Sequence, residues 1–171
     1  MSLVTWSSFL GRLLTKAATV WAFIGGLVLL IIVMVNFISI LGRIFFNSPL
    51  IGDFELVEMG CAISIFMFLP LCQLKKGNIT IDFFTSKLDT QTKFILDSIS
   101  AIIFGVVSLL FSYRMTLGAA DMIKYNEQTM LLRIPVWIAF VPGTLSFALL
   151  AAICFYGALV DFKKSSVRDP L

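Results

Sequence analysis

Four apolar stretches separated by short polar breaks set the pattern of the chain. Ala17 to Gly42 runs 26 residues without a charged side chain, and Ile134 to Val160 runs 27. As helices rising ~1.5 Å per residue, both exceed the ~30 Å hydrocarbon layer of a bilayer, so each predicts a tilted membrane-spanning helix. Two shorter runs, Met59 to Leu74 and Ser98 to Tyr113, hold 16 residues each. The flanks Phe54–Glu58 and Phe94–Asp97 bring them to spanning length. The pattern predicts an all-α integral membrane protein in a single membrane domain over residues 1–171. Its four transmembrane helices fall at about 17–42, 54–74, 94–118 and 134–160.

The segments outside these runs have their own periodicity. Leu3, Trp6, Phe9, Leu10, Leu13 and Leu14 recur at helical spacing, with Ser7, Ser8, Arg12 and Lys16 on the other face. That pattern suits an interfacial amphipathic helix at the N-terminus, or an extension of the first span. The span behind it is too long, and too poor in a small-residue cleavage site, for a removable signal peptide. Between helices 2 and 3, Ile81, Phe84 and Leu88 stand against Asp82, Thr85, Lys87 and Asp89, predicting a second interfacial amphipathic helix. The other two connectors read as turns: Asn47-Ser48-Pro49 and Gly52-Asp53 in one, polar Asp121 to Arg133 closed by Ile134-Pro135 in the other.

Composition agrees with a membrane class. Of 171 residues, 59% are hydrophobic and 13% charged, with a mean hydropathy of +1.00. A soluble domain averages roughly 45–50% apolar and about 25% charged. Charge then orients the chain. With the N-terminus inside, the inner segments hold nine lysines and arginines: Arg12, Lys16, Lys75, Lys76, Lys87, Lys93, Lys163, Lys164 and Arg168. The outer segments hold four: Arg43, Arg114, Lys124 and Arg133. The positive-inside rule therefore predicts both termini in the cytoplasm. Asn78-Ile79-Thr80 matches a glycosylation sequon, but on that topology it lies on the cytoplasmic side, as a chance match.

Candidate chemistry is sparse. Without histidine, the chain lacks the usual general base and the usual ligands for haem and most zinc sites. Cys61, Cys72 and Cys154 sit singly within apolar helices, with no C-x-x-C pair, and read as packing residues. No enzyme, cofactor or metal site is expected, and no nucleic-acid partner. Arg43 closes helix 1, while Asp53, Glu55 and Glu58 open helix 2; none of these lies near the middle of a span. Glu55 and Glu58 share a helix face. They read either as an acidic docking or ion-facing patch, or as a helix start favoured by the dipole with Arg43 across the hairpin. Gly60-x-x-x-Ser64 and Ala148-x-x-x-Ala152 have the small-xxx-small spacing of close helix contacts.

With these residues in place, the stretch from Arg43 through Asp82 resembles the small membrane subunit of tripartite ATP-independent periplasmic (TRAP) transporters, the DctQ-like family. An arginine followed by aromatics ends helix 1, as in Arg43-Ile44-Phe45-Phe46, and a glutamate-leucine pair opens helix 2, as in Glu55-Leu56. Gly77-Asn78-Ile79-Thr80-Ile81-Asp82 is similar to the family's G-x-H-I-x-[VI]-D stretch, and Ile134-Pro135-Val136-Trp137 to the motif opening its last helix. Asn78 departs from the usual histidine, and Phe68-Leu69-Pro70 from the usual small residues.

The resemblance implies an accessory scaffold subunit in the bacterial inner membrane. Its partners would be a large DctM-like membrane subunit, a periplasmic substrate-binding protein and the lipid bilayer. Together these import organic acids, such as sialic acid or C4-dicarboxylates, on a sodium gradient. On that reading Arg43 and Glu55 brace the outer ends of helices 1 and 2, and Asp82 anchors the cytoplasmic connector. Asp53, Glu58 and the 121–133 loop face the binding protein, while Pro135 and Trp137 set the last helix. The alternative is a stand-alone homodimeric transporter or exporter using Glu58; a quinone-linked enzyme would need paired cysteines or histidines.

Overall fold

The computed structural model describes residues 9–47, 50–75 and 90–167. They form four helices: α1 (Phe9–Phe46), α2 (Asp53–Leu74), α3 (Thr90–Lys124) and α4 (Trp137–Val167). All four are long and apolar enough to cross a membrane. Residues 9–16 continue into the first span without a break, as an extension of α1, while Leu3, Trp6, Ser7 and Ser8 of the predicted N-terminal helix lie outside the described residues. The second amphipathic segment and Asp82 lie outside the described residues, apart from the start of α3 at Thr90.

The helix ends have local causes. Asn47, just past α1, takes a left-handed φ of 53°, a conformation asparagine tolerates and one that stops a helix. α3 runs on past residue 118 and ends in a paired-bond cap. Asn126 N–H donates to Ile123 O at 3.2 Å and Glu127 N–H to Met122 O at 3.0 Å, with Asn126 again at φ 53°. Such a cap satisfies carbonyls that the last turn leaves open. Pro70 and Pro142 lie inside α2 and α4, which continue through them.

The helices pack as a row. α1 lies on α2, α2 on α4 and α4 on α3, with only a slight touch between α1 and α4. Small residues line the seams. A Cβ built at Gly25 would sit 2.8 Å from Met67 Cβ and 3.4 Å from the Ser64 carbonyl, and one at Gly60 would overlap Ile32 Cγ1. Gly60 and Ser64, predicted as a contact pair, are buried in the α1–α2 seam. Ala148 and Ala152 are exposed instead; α4 turns Leu150, Ala151, Cys154 and Ala158 inward.

Aromatic rings and two polar bonds join the pairs at mid-row. Phe147 of α4 meets Phe66 of α2 at 5.6 Å between centroids and stacks on Phe111 of α3 at 5.4 Å. Trp21 Nε1 donates to Ser146 Oγ at 2.8 Å, tying α1 to α4, and Ser112 Oγ donates to Thr144 O at 3.1 Å. Many other large apolar side chains point outward along every helix, as lipid-facing helices require.

Candidate functional site

Both short connectors lie at one end of the row, and there the predicted acidic cluster meets the loop before α4. Gly52 opens α2 at φ 82°, a left-handed conformation that disfavours any side chain. Space imposes the same choice, because a Cβ at Gly52 would lie 2.5 Å from Leu132 Cγ and 2.9 Å from its Cδ1. The α3–α4 loop is thus seated directly on the α1–α2 turn.

Glu55 fixes that seat. Its two carboxylate oxygens accept main-chain N–H groups from consecutive loop residues, Leu131 at 2.7 Å and Leu132 at 2.9 Å. Hydrogen bonds to an ionised carboxylate are stronger than those between neutral groups, and using both oxygens fixes direction as well as distance. Glu55 is also in the first turn of α2, where the helix dipole favours negative charge. Among the described residues no ion pair joins it to Arg43, which is exposed near the end of α1. The predicted Arg43–Glu55 brace is therefore replaced by a clamp from Glu55 to loop amides 76 and 77 residues further along.

Asp53 makes the second tie. Its buried carboxylate accepts the Ser39 hydroxyl at 2.6 Å through Oδ2 and the Phe54 N–H at 2.9 Å through Oδ1. One oxygen thus starts α2, since Gly52 offers no side-chain cap, and the other holds α1. Ser39 is fully buried within an apolar run. A hydroxyl at that position is the sequence signal for this bond, one that a pattern of charged residues does not report.

The loop closes on itself before it reaches Glu55. Thr129 N–H donates to Ile134 O at 3.0 Å, and Ile134 N–H donates back to Thr129 Oγ1 at 3.0 Å. Val136 N–H bonds Glu127 O at 3.2 Å, Gln128 and Pro135 form an antiparallel bridge, and Arg133 turns the chain at φ 53°. Pro135 therefore belongs to the loop closure. Its carbonyl accepts Ile138 N–H at 3.3 Å where α4 begins, with Trp137 as the first helical residue. Met130, 95% exposed, and Leu131 form an apolar tip.

Glu58 stands apart from this network. One turn beyond Glu55, it is exposed on the outer surface of α2. The structure thus joins Asp53 and Glu55 in one assembly and leaves Arg43 and Glu58 outside it. Cys61, Cys72 and Cys154 are free thiols, and no three metal-binding side chains converge among the described residues. The arrangement fastens three chain segments together at one end of the bundle.

Comparison with known families gives one match. The family described as "Tripartite ATP-independent periplasmic transporters, DctQ component" matches residues 29–164, about four-fifths of the chain. No curated protein and no solved structure matches it.

Proposed function

The chain belongs to the DctQ family, the small membrane component of TRAP transporters, and we propose that it serves there as a static scaffold for the large DctM-like subunit. The observation that carries this reading is the use made of Asp53 and Glu55. These two carboxylates hold helices and loop in place at the loop end. A moving gate would need such groups to exchange partners; here they pin α1, α2 and the α3–α4 loop into one unit.

In this reading the loop end faces the periplasm and both termini lie in the cytoplasm of a bacterial inner membrane, as the excess of lysines and arginines in the inner segments favours, with or without Arg114 in the outer count. Met130, Leu131, Asp53, Glu58 and the 121–133 loop are then on the side from which a substrate-binding protein approaches. The transported substrate is an organic acid driven inward by a sodium gradient, with substrate and ion held by the large subunit.

Co-expression with the large subunit tests this. A one-to-one complex in mild detergent, with sodium-driven uptake in liposomes only when both membrane subunits and the binding protein are present, is the expected result. Uptake or export by this chain alone, abolished by Glu58→Gln, would replace the scaffold reading with a self-sufficient homodimeric transporter.

A further inference from the structure

Arg114 stands on the surface of α3 at a level well inside the span rather than at its end. Three contacts fix its level. Phe111 stacks on Phe147, Ser112 bonds the Thr144 carbonyl, and Met115 Cε and Phe66 Cδ2 both abut Gly143. Phe147 is the midpoint of the charge-free run Ile134 to Val160, and Phe66 lies close to the middle of α2. Arg114 is three residues from Phe111, hence about 4.5 Å from that mid-level at ~1.5 Å per residue. In a hydrocarbon layer of ~30 Å this leaves it about 10 Å below the nearer surface.

Phe111, Ser112 and Met115 face α4, and Arg114 is rotated about 200° from Ser112, about 100° from Met115 and about 60° from Phe111, so it flanks that stripe on the outer side of α3. It is exposed there between Leu110 and Leu117, which are 59% and 41% exposed. Among the described residues no hydrogen bond or ion pair satisfies it. Asp121, on the same face, is seven residues away, about 10.5 Å along the helix and out of contact. α3 is the edge of the row, packed on α4 and open beyond.

An unpaired guanidinium at this depth is costly in lipid, whose tails offer no acceptor. We propose that the outer face of α3, centred on Arg114 with Leu110 and Leu117, is the seam with the large membrane subunit, and that a carboxylate on a transmembrane helix of that subunit holds Arg114. This rests on the two-subunit reading above. Arginine is suited to the role because its planar fork takes a carboxylate through two parallel bonds and does not lose its charge. The edge position of α3 explains how one helix can carry the seam while the rest of the row stays intact.

The test uses the full chain co-expressed with the large subunit. A photo-crosslinking amino acid placed at Leu110 or Leu117, with Arg114 intact, attaches to the large subunit. Arg114→Gln weakens the complex by about thirtyfold or more, as expected on truncating one side of a buried charge pair. The same variant, expressed alone, is recovered as well as the unmodified chain or better, because it loses an unsatisfied charge. Opposite responses of complex and isolated chain separate a lost contact from misfolding. If the unmodified complex forms but positions 110 and 117 attach only to lipid, and Arg114→Gln co-purifies undiminished, α3 faces the bilayer and the inference fails while the subunit reading stands. If the unmodified chain does not co-purify at all, both fall.

Discussion

Glu55 and Arg114 are both charged side chains within spanning helices, and the chain treats them in opposite ways. Glu55 is answered from within, by two amides of a distant loop. Arg114 is exposed on the edge helix, with no partner among the described residues. The loop end is closed, with Asp53, Ser39, Thr129 and Glu55 all engaged. The α3 edge is open. If the proposed seam holds, the contrast separates what this chain settles for itself from what a neighbour supplies. Substitutions at the closed end should change the isolated chain, whereas substitutions at the open edge should change only the assembly.

The largest effect on the isolated chain is expected at Gly25. Gly25→Val pushes branched carbon against Met67 Cβ and the Ser64 carbonyl, rigid atoms that cannot turn away. The cost should reach the upper end of the about 1–3 kcal/mol typical of overpacking. A clear drop in the detergent unfolding midpoint checks it; an unchanged midpoint would mean the α1–α2 seam is looser than described.

Gly52→Ala comes next. The left-handed backbone alone costs about 1–2 kcal/mol for a residue with a Cβ, and the added methyl also displaces Leu132. The midpoint should fall, and proteases should cut the α3–α4 loop faster. Faster cutting without a lower midpoint would confine the damage to the loop.

Ser39→Ala removes the donor to a buried Asp53 oxygen. A loss of about 1 kcal/mol is expected, the lower end for an unsatisfied acceptor, because Asp53 lies at a helix end. Adding Asp53→Asn should then cost little more, since the pair is already broken; fully additive losses in the double variant would show the two side chains acting independently.

Glu55→Gln is the mildest globally and the most local. Glutamine keeps one acceptor oxygen, so one of the two amide bonds is lost. Amide hydrogen exchange at Leu131 and Leu132 should accelerate while α1 and α2 stay protected. Unchanged exchange at both positions would remove the clamp from the account of the loop.

Much of this was legible in the order of residues. Membrane class, helix count and family follow from charge-free runs and from motifs such as Arg43-Ile44-Phe45-Phe46 and Ile134-Pro135-Val136-Trp137. Gly60-x-x-x-Ser64 was legible too, and it lies in a seam. Ala148-x-x-x-Ala152 has the same spacing and faces outward. Spacing says that two small residues share a face; it does not say which face a neighbour covers. The Glu55 clamp was hidden for a related reason, since its partners are main-chain amides, which no side-chain pattern reports.

The sequence by itself determined that the chain spans a membrane, about where its helices run and to which family it belongs, because those properties depend on local hydrophobicity and short motifs. Tertiary structure alone decided the row order, the Ser39–Asp53 tie and the level of Arg114 against its neighbours. A charge ends a run when the chain is read in one dimension, so the charge-free run stops at Tyr113 and Arg114 counts as an outer residue. Its level in the bundle depends on the register of α3 against α4, set where Phe111 meets Phe147 and Met115 meets Gly143. Register is a property of two packed helices, and neither helix carries it alone.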